Sequence, residues 1–263
     1  MLNALDLQLV EGILRSRPNR FVFEGTVDGH RRRLHCPVTG SIGGVKNFDG
    51  IPCLITPGDG ANPKRTTAGT VEAISLDGKK SWIGINQNRI NGWMEQFLRT
   101  NAVPKIISCS GAEIFHEVRV GDSRLDLCVV SGGKKTFLEI KTPTHDFLLT
   151  PESHFTPPSS KEYFSRGIRH FQTLAQLALE GHRCLVLICF MYDAAEFNPP
   201  QQSSINSKVT EVVAWARSCG VENWQINLKI TPSSLIIERY LRLSFGGHSD
   251  ESDALSSNWK PKA

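Results

Sequence analysis

The sequence predicts an α+β protein with two domains, a small β-barrel over residues 1–87 and an α/β domain over residues 88–242. Two observations indicate this division. The first part contains short β-type runs separated by glycines, with no convincing helix after Arg15. The second part alternates helical and β-type patterns, as α/β domains do. A chain of 263 residues has room for both domains.

The N-terminal domain is predicted from five short β-type runs. They cover residues 21–27, 33–36, 52–55, 71–76 and 82–85. Five short strands with glycine-rich turns favour a small barrel or sandwich, and a five-stranded barrel of the OB type often binds nucleic acid. This step is an analogy between folds, so it says little about function by itself.

The C-terminal domain is predicted from elements in the order α-β-β-β-α-β. They are a helix over 91–99, a strand over 115–120, a hairpin around Gly132 and Gly133, a helix over 161–180 and a buried strand over 184–191. A helix over 204–218 and a strand over 224–230 follow. Residues 243–263 are rich in Ser, Asp, Gly and Lys without periodicity, which predicts a disordered tail.

The predicted hairpin contains two short segments that each carry one acidic and one basic residue, Arg124-Leu-Asp-Leu127 and Glu139-Ile-Lys141. If the hairpin is symmetric about its two glycines, Asp126 lies opposite Glu139, with Cβ atoms about 4.5 to 5.5 Å apart. A divalent cation would remove the repulsion between these carboxylates, and Mg²⁺ or Mn²⁺ suits oxygen ligands. Lys141 projects from the same strand face as Glu139. The pattern predicts Asp126 and Glu139 as metal ligands, and Lys141 as the group that assists a bound water or the phosphate.

Two simpler interpretations remain open for these acids. Exposed strand faces also pair Glu with Lys for solubility, so the Glu139 and Lys141 pattern is weak without its context. Glu117, on the strand before Asp126, is a further candidate metal ligand. An exposed acidic residue on a strand is the alternative for Glu117.

Basic and aromatic residues form candidate nucleic-acid contacts in both domains. The candidates are Arg15, Arg17, Arg20, Phe21, Arg31, Arg32 and Arg33 in the first domain, and Arg166 and Arg169, with His170, on the long helix. Arginines beside an aromatic ring suit phosphate contacts combined with base stacking. Solvated surface charge explains each cluster as well.

Composition favours a soluble intracellular protein that contacts polyanions. The chain has 30 basic and 26 acidic residues, a net charge of +4 and a pI of about 8.7. Its seven cysteines show no zinc-type spacing, and their odd number argues for reduced thiols. No secretory signal and no run long enough to span a bilayer is present in the sequence.

Several short motifs follow one another along residues 9–242. They are Arg17-Pro-Asn-Arg-Phe21, His35-Cys-Pro-Val-Thr-Gly40, Pro57-Gly-Asp59, Asn86-Gln-Asn-Arg-Ile90, Glu117-Val-Arg-Val-Gly121, Arg124-Leu-Asp126, Glu139-Ile-Lys141, Arg166-Gly167 with His170, and Glu180-Gly-His-Arg183. In this order they resemble the motifs of the sugar fermentation stimulation protein A family. The order of elements resembles the restriction-endonuclease-like, or PD-(D/E)xK, superfamily.

The resemblance implies an OB-like N-terminal domain, a restriction-endonuclease-like C-terminal domain, DNA binding and a link to the regulation of sugar metabolism. Its fold also suggests nuclease activity. The chain departs from the family at Val38, where an Asn is expected, and near Ser160 and Ser165, where acids are expected. Loss of those acids predicts weakened or altered catalysis. Three functions therefore stay open: a Mg²⁺-dependent nuclease acting on DNA, a DNA-binding protein without catalysis, and a protein-interaction module.

Overall fold

The described residues form two β-sheets, one of six strands and one of seven. The structure is a computed structural model that describes residues 3–38, 40–58, 66–143, 161–197 and 207–244. The predicted disordered tail, apart from residues 243 and 244, and Ser160 lie outside the described residues. Within the described part of the chain, no helix is long and apolar enough to cross a membrane.

The six-stranded sheet is the N-terminal barrel. Its strands are β2 (Val10–Asn19), β3 (Val22–Val27), β4 (His30–His35), β5 (Pro52–Pro57), β6 (Gly69–Ile74) and β7 (Ile83–Gly84), whereas β1 (Ala4–Asp6) lies in the other sheet. The order is β4-β3-β2-β5-β6-β7, and a pairing of His35 with Thr70 joins β4 to β6. This pairing closes a five-stranded barrel from β2 to β6, which confirms the predicted OB-like domain.

Strand β2 is absent from the predicted strands because its inward positions carry little apolar bulk. Gly12, Leu14 and Ser16 alternate toward the interior, and only Leu14 is a large buried side chain. A Cβ on Gly12 would lie 2.8 Å from Ile55 Cδ1 and 3.0 Å from Thr26 O, so neighbouring strands approach here as only glycine permits. The close approach explains why the sequence pattern is weak.

The seven-stranded sheet organises the C-terminal domain. Its elements are α1 (Ile90–Arg99), β8 (Glu113–Val120), β9 (Ser123–Ser131), β10 (Lys134–Lys141), α2 (Lys161–Leu179), β11 (Arg183–Phe190), α3 (Ser207–Ser218), β12 (Glu222–Ile230) and β13 (Ser234–Arg242), preceded by a 3₁₀ turn (Gln87–Arg89). The strand order is β1-β13-β12-β11-β10-β9-β8. Strands β10, β11 and β12 are parallel and the remaining pairs are antiparallel. The predicted α-β-β-β-α-β order is therefore present.

The position of β1 differs from the predicted domain division. The sequence predicts one domain over residues 1–87, but Ala4 to Asp6 pair with β13 at the edge of the C-terminal sheet. The chain therefore passes through the C-terminal sheet before it enters the barrel. Three residues are too few for a period of two to be recognised, so the sequence offers no signal for this strand.

Helices cover both faces of the seven-stranded sheet. Helix α1 packs its buried residues, including Trp93 and Phe97, against one face, together with Leu54 and Ala73 of the barrel. Helices α2 and α3 pack against the other face, through Leu174 and neighbouring buried residues. Because both faces are covered, β11 is buried along nearly its whole length, as the continuous apolar run predicts.

The barrel touches the C-terminal sheet where β7 meets the end of β11. The Gly84 N–H donates a 2.8 Å hydrogen bond to the Met191 carbonyl. A Cβ on Gly84 would lie 2.5 Å from Met191 Cβ, an atom fixed to the backbone that cannot swing aside. A side chain here would push the two domains apart.

Replacing Gly84 with alanine should therefore destabilise the protein. We expect Gly84→Ala to lower the free energy of unfolding by about 1–3 kcal/mol, because overpacking forces the backbone to shift. Urea denaturation followed by circular dichroism measures this change.

Gly92→Ala is the matched control, since Gly92 is exposed in α1 and an added Cβ meets nothing within 4 Å. We expect it to stabilise the protein by about 0.5–1 kcal/mol. Equal stability of Gly84→Ala and the unmodified chain would contradict the domain contact described above.

Candidate functional site

The segments that contain Asp126 and Glu139 lie on the two strands of the β9–β10 hairpin. Gly132 and Gly133 have φ values of 56° and 76°, which fit a two-residue type I′ turn. The pairing runs from Lys134 opposite Ser131 to Leu138 opposite Leu127. The pairing is symmetric about the two glycines, as the sequence suggests, and it ends one residue before Asp126 and Glu139. These two residues follow the last pair on adjacent strands, close enough for the charge of Glu139 to act on Asp126.

Glu139 is buried, with 2% of its surface exposed. Its Oε1 accepts a 2.5 Å hydrogen bond from Lys141 Nζ and a second one from His170 Nδ1. Its Oε2 is also buried, yet no group in the described part of the chain donates to it. Burying a carboxylate oxygen without a hydrogen-bond partner costs free energy. Oε2 is therefore the atom of this site to which a cation or a further hydrogen-bond donor could bind.

Asp126 is half-buried and is held by two donors. The Asn91 side chain, at the start of α1, donates a 2.9 Å hydrogen bond to Oδ1. The Ile140 backbone N–H donates a 2.7 Å bond to Oδ2. Because each carboxylate oxygen can accept more than one bond, both oxygens keep acceptor capacity while the carboxylate is fixed in place.

The two carboxylates have opposite pKa shifts. Burial, and then the charge of Glu139, raise the pKa of Asp126 above its ordinary value of 3.8. Burial also acts to raise the pKa of Glu139, but the hydrogen bond from His170 and the charge of Lys141 outweigh burial and lower it. The pair thus combines a firmly ionised Glu139 with an Asp126 that ionises less readily.

The donor set fits a hard divalent cation. Two carboxylates with free acceptor positions match Mg²⁺, which commonly takes one or two carboxylates and completes its shell with water and substrate oxygens. No group of three or more His, Cys, Asp or Glu side chains within the described residues is arranged to hold a metal. A site of this kind is open, with positions left for water and substrate.

Glu117 lies beside this pair in β8 but turns toward another partner. Its position faces Asp126 in the β8–β9 register, where the pairing skips it. Its φ of 48° is unusual for a residue other than glycine. The side chain is 62% exposed and forms a 3.4 Å ion pair with Arg124. The structure therefore does not bring Glu117 onto the cation position suggested by the other two acids.

The predicted arginine run lies on β4, at the surface of the barrel. Arg31, Arg32 and Arg33 are all exposed. Because strand side chains alternate, Arg31 and Arg33 share one face and Arg32 projects from the other. The structure therefore divides these three cations between two faces.

The other candidates in the barrel have different environments. Arg17 donates to the carbonyls of Gly40, Arg20 and Val38, so it holds the loop after β4 against the β2–β3 turn. Arg15 forms an exposed ion pair of 3.3 Å with Asp49. The Arg20 guanidinium lies 4.7 Å from the centroid of the Phe21 ring.

Phe21 is 47% exposed. An exposed ring with a cation beside it suits base stacking. By contrast, the guanidinium of the partly exposed Arg17 donates hydrogen bonds to three backbone carbonyls. Its role as a nucleic-acid contact stays a prediction, beside the structural role that these hydrogen bonds give it.

On α2, Arg166 and Arg169 are exposed, whereas His170 is 4% exposed and contacts Glu139. Helix α2 connects parallel strands β10 and β11, so it starts at the end of the sheet where β10 ends. Arg166 lies one turn before His170 on the same helix face, and so nearer that end. Ser165 belongs to α2, but its side chain is outside the described residues.

Two residues of the site are not identified by the sequence patterns. His170 is grouped there with the phosphate-binding candidates of α2, and Asn91 is not singled out. Both residues act across the fold, at separations of 31 and 35 positions from their partners. The helical pattern of α2 places His170 near its apolar face, which is the one signal that could have identified it.

Two family models match the chain: "SfsA N-terminal OB domain" over residues 16–85 and "Sugar fermentation stimulation protein RE domain" over residues 88–234. Similar curated proteins include the sugar fermentation stimulation protein homologs of Alcanivorax borkumensis and Pseudomonas fluorescens. The first is 31% identical over 74% of this chain and 80% of the relative, and the second is 29% identical over 92% and 98%.

A solved structure also resembles this chain, that of Pyrococcus furiosus SfsA in complex with Ca²⁺. The TM-score is 0.68 at 23% identity, and the match covers 89% of this chain and 96% of the other. At this identity the likeness concerns the fold.

The opposed carboxylates generate a test by titration. We expect Glu139→Gln to move the pKa of Asp126 down toward 3.8, because it removes the repulsion and leaves burial as the raising cause. The folded-state pKa of Asp126 lies above its ordinary value, so the stability linked to this group falls as pH rises from 3.8 through the raised pKa. Carboxyl ¹³C NMR titration measures the pKa directly, and the variant should show a smaller fall in stability.

Glu222→Gln is the control, since Glu222 pairs with Arg183 on other strands. It should leave the pKa of Asp126 unchanged. An Asp126 pKa that stays equally high in Glu139→Gln would show that the two carboxylates do not interact.

Proposed function

Since the chain belongs to the family of sugar fermentation stimulation proteins, we propose that it is a DNA-binding protein with a metal-dependent phosphodiesterase site. The C-terminal domain is of the restriction-endonuclease-like, PD-(D/E)xK, type in this proposal. Asp126 and Glu139 bind Mg²⁺ or Mn²⁺, and Lys141 assists catalysis. Both domains contact the DNA through exposed basic residues.

One observation carries the metal site: Glu139, whose charge acts on Asp126, has a buried Oε2 without a donor among the described residues. The large majority of buried side-chain polar atoms have a hydrogen-bond partner, so an unpaired carboxylate oxygen beside a second acid needs an explanation, and a cation supplies one. The remaining acceptor positions are all oxygens, which favours a hard cation over zinc or copper. The related Pyrococcus furiosus protein, described in complex with Ca²⁺, supports a cation site in this fold.

The residues of the site have different roles in the proposed hydrolysis of a phosphodiester. When bound, Mg²⁺ or Mn²⁺ would supply a water of lowered pKa and positive charge next to the phosphate. Lys141 Nζ, with 28% of the side chain exposed, reaches the same side of the strand as Glu139 and can stabilise charge that develops on phosphate oxygens. Asn91 and the Ile140 N–H keep Asp126 fixed, so little reorganisation is needed during the reaction.

The surface that contacts DNA includes cations of both domains. Arg31, Arg32 and Arg33 are exposed along β4, and Arg166 lies on the helix face that leads to the metal position. Arg20 and Phe21 add a stacking position at the β2–β3 turn. Phosphate contacts of this kind supply affinity without sequence preference.

The catalytic proposal predicts loss of cleavage when the site is altered. We expect Asp126→Ala, Glu139→Ala and Lys141→Ala each to lower the rate of Mg²⁺-dependent or Mn²⁺-dependent DNA hydrolysis by at least about 100-fold, the usual loss for one electrostatic stabiliser. The rate is measured with labelled single-stranded and double-stranded DNA, whose cleavage products are separated on denaturing gels.

Asp122→Ala is the matched control for these variants, because Asp122 is an exposed carboxylate in the β8–β9 turn. It should cleave as fast as the unmodified protein. Absence of cleavage by the unmodified protein, or cleavage that persists in the Asp126 and Glu139 variants, contradicts the catalytic proposal. Metal-independent DNA retention without any cleavage would leave a DNA-binding protein without catalysis.

The binding proposal predicts a change in salt dependence. We expect the triple variant of Arg31, Arg32 and Arg33 to alanine to bind DNA more weakly at every salt concentration. The slope of log Kd against log salt should fall by about 0.9 for each phosphate that the variant no longer neutralises. Fluorescence anisotropy with labelled duplex DNA measures both quantities.

Arg99→Ala is the control for the arginine run, since Arg99 is engaged by Glu95 on α1. It should leave the slope unchanged. An unchanged slope in the triple variant would remove β4 from the DNA interface.

A further inference from the structure

His170 and Lys141 converge on one oxygen of Glu139. Both donate to Oε1, His170 from α2 and Lys141 from the same strand as Glu139. The carboxylate cannot rotate to exchange its oxygens without breaking both bonds. Glu139 is therefore held in one orientation, with Oε2 directed away from these two donors.

The position of His170 is fixed by the packing of α2. His170 is 4% exposed, and Leu174, one turn further along the same face, is fully buried in the core beneath the helix. Thr173 on the same helix hydrogen-bonds to Ser123 at the start of β9, with 2.7 Å between the hydroxyl oxygens. These contacts lock the helix over the hairpin, so the imidazole has little freedom to leave Glu139.

We infer that His170 is a positioning residue for the metal site: by occupying Oε1 it makes Glu139 bind a cation through Oε2 alone. The inference rests on the proposed metal site. Hydrogen-bond donors that orient a metal-binding side chain, without touching the metal, commonly raise metal affinity substantially. His170 does not contact the cation in this arrangement, and its effect passes through Glu139.

A purely structural role for this hydrogen bond makes a different prediction. A histidine that only neutralised a buried acid would matter for stability and leave metal affinity untouched. It would also give no reason for Oε2 to lack a donor among the described residues. Because Oε1 is occupied by two donors, the arrangement further implies one cation per chain at this site.

Two variants of His170 separate the effect of its hydrogen bond from the effect of its packing. His170→Phe keeps a ring of similar volume and removes the donor, whereas His170→Asn removes the ring and keeps an amide N–H near the position of Nδ1. Leu177→Ala is the structural control, because it opens a cavity in the same helix interface two turns beyond His170 and leaves Glu139 untouched.

Isothermal titration calorimetry of the 263-residue chain with Mn²⁺ measures the affinity and stoichiometry of metal binding for each variant. We expect one Mn²⁺ per chain, an affinity about 10–100-fold lower in His170→Phe, and recovery of most of that affinity in His170→Asn. Leu177→Ala should lower the melting temperature with unchanged Mn²⁺ affinity.

Three results would overturn the inference: equal affinity of His170→Phe and the unmodified chain, an equally low affinity in His170→Asn, or two Mn²⁺ bound at the site. If the unmodified chain binds no Mn²⁺, the proposed metal site itself fails. If His170→Phe does not fold, a measurement on the unmodified protein tests whether His170 stays bound to Glu139 when the metal is present. In ¹⁵N NMR of the unmodified protein at saturating Mg²⁺, the His170 Nδ1–H should remain bound to Glu139, and its release on metal binding would contradict the inference.

Discussion

Asp126 and Glu139 lie on adjacent strands of a covered sheet, next to the pair of Leu127 with Leu138, and the local structure is arranged around their repulsion. Burial strengthens the interaction, because charges are poorly screened away from water. Three elements supply the compensating donors: α1 through Asn91, β10 through the Ile140 N–H and Lys141, and α2 through His170. Of the four oxygens of these two carboxylates, Glu139 Oε2 is the one without a donor among the described residues, which is why we propose a cation there.

The barrel and the C-terminal sheet contribute in different ways. The barrel carries exposed cations on β4 and an exposed ring at Phe21, whereas the acids lie in the C-terminal sheet. The close contact of Gly84 with Met191 joins the two domains at the end of β11, the strand that pairs with β10. Together with the packing of Leu54 and Ala73 against α1, this contact joins the barrel to the domain that carries the hairpin.

Sequence patterns predict the features that depend on local spacing. The two glycines and the equal distances to Asp126 and Glu139 are sufficient to predict the hairpin register, and the apolar run predicts β11. Strand β13 is not predicted because an extra residue, Glu238, interrupts its alternation opposite β12. The roles of His170 and Asn91 in the site are not predicted either, because their contacts depend on how helices dock, which no local pattern encodes.

The central claim is that a cation binds between Asp126 and Glu139 Oε2. Anomalous X-ray diffraction from crystals soaked in Mn²⁺ tests it most directly, since it locates the ion without reliance on activity. The account predicts one peak at about 2.1 Å from Glu139 Oε2 and from an Asp126 oxygen. Crystals that take up Mn²⁺ only elsewhere, or show Glu139 Oε2 facing another protein donor, would contradict it.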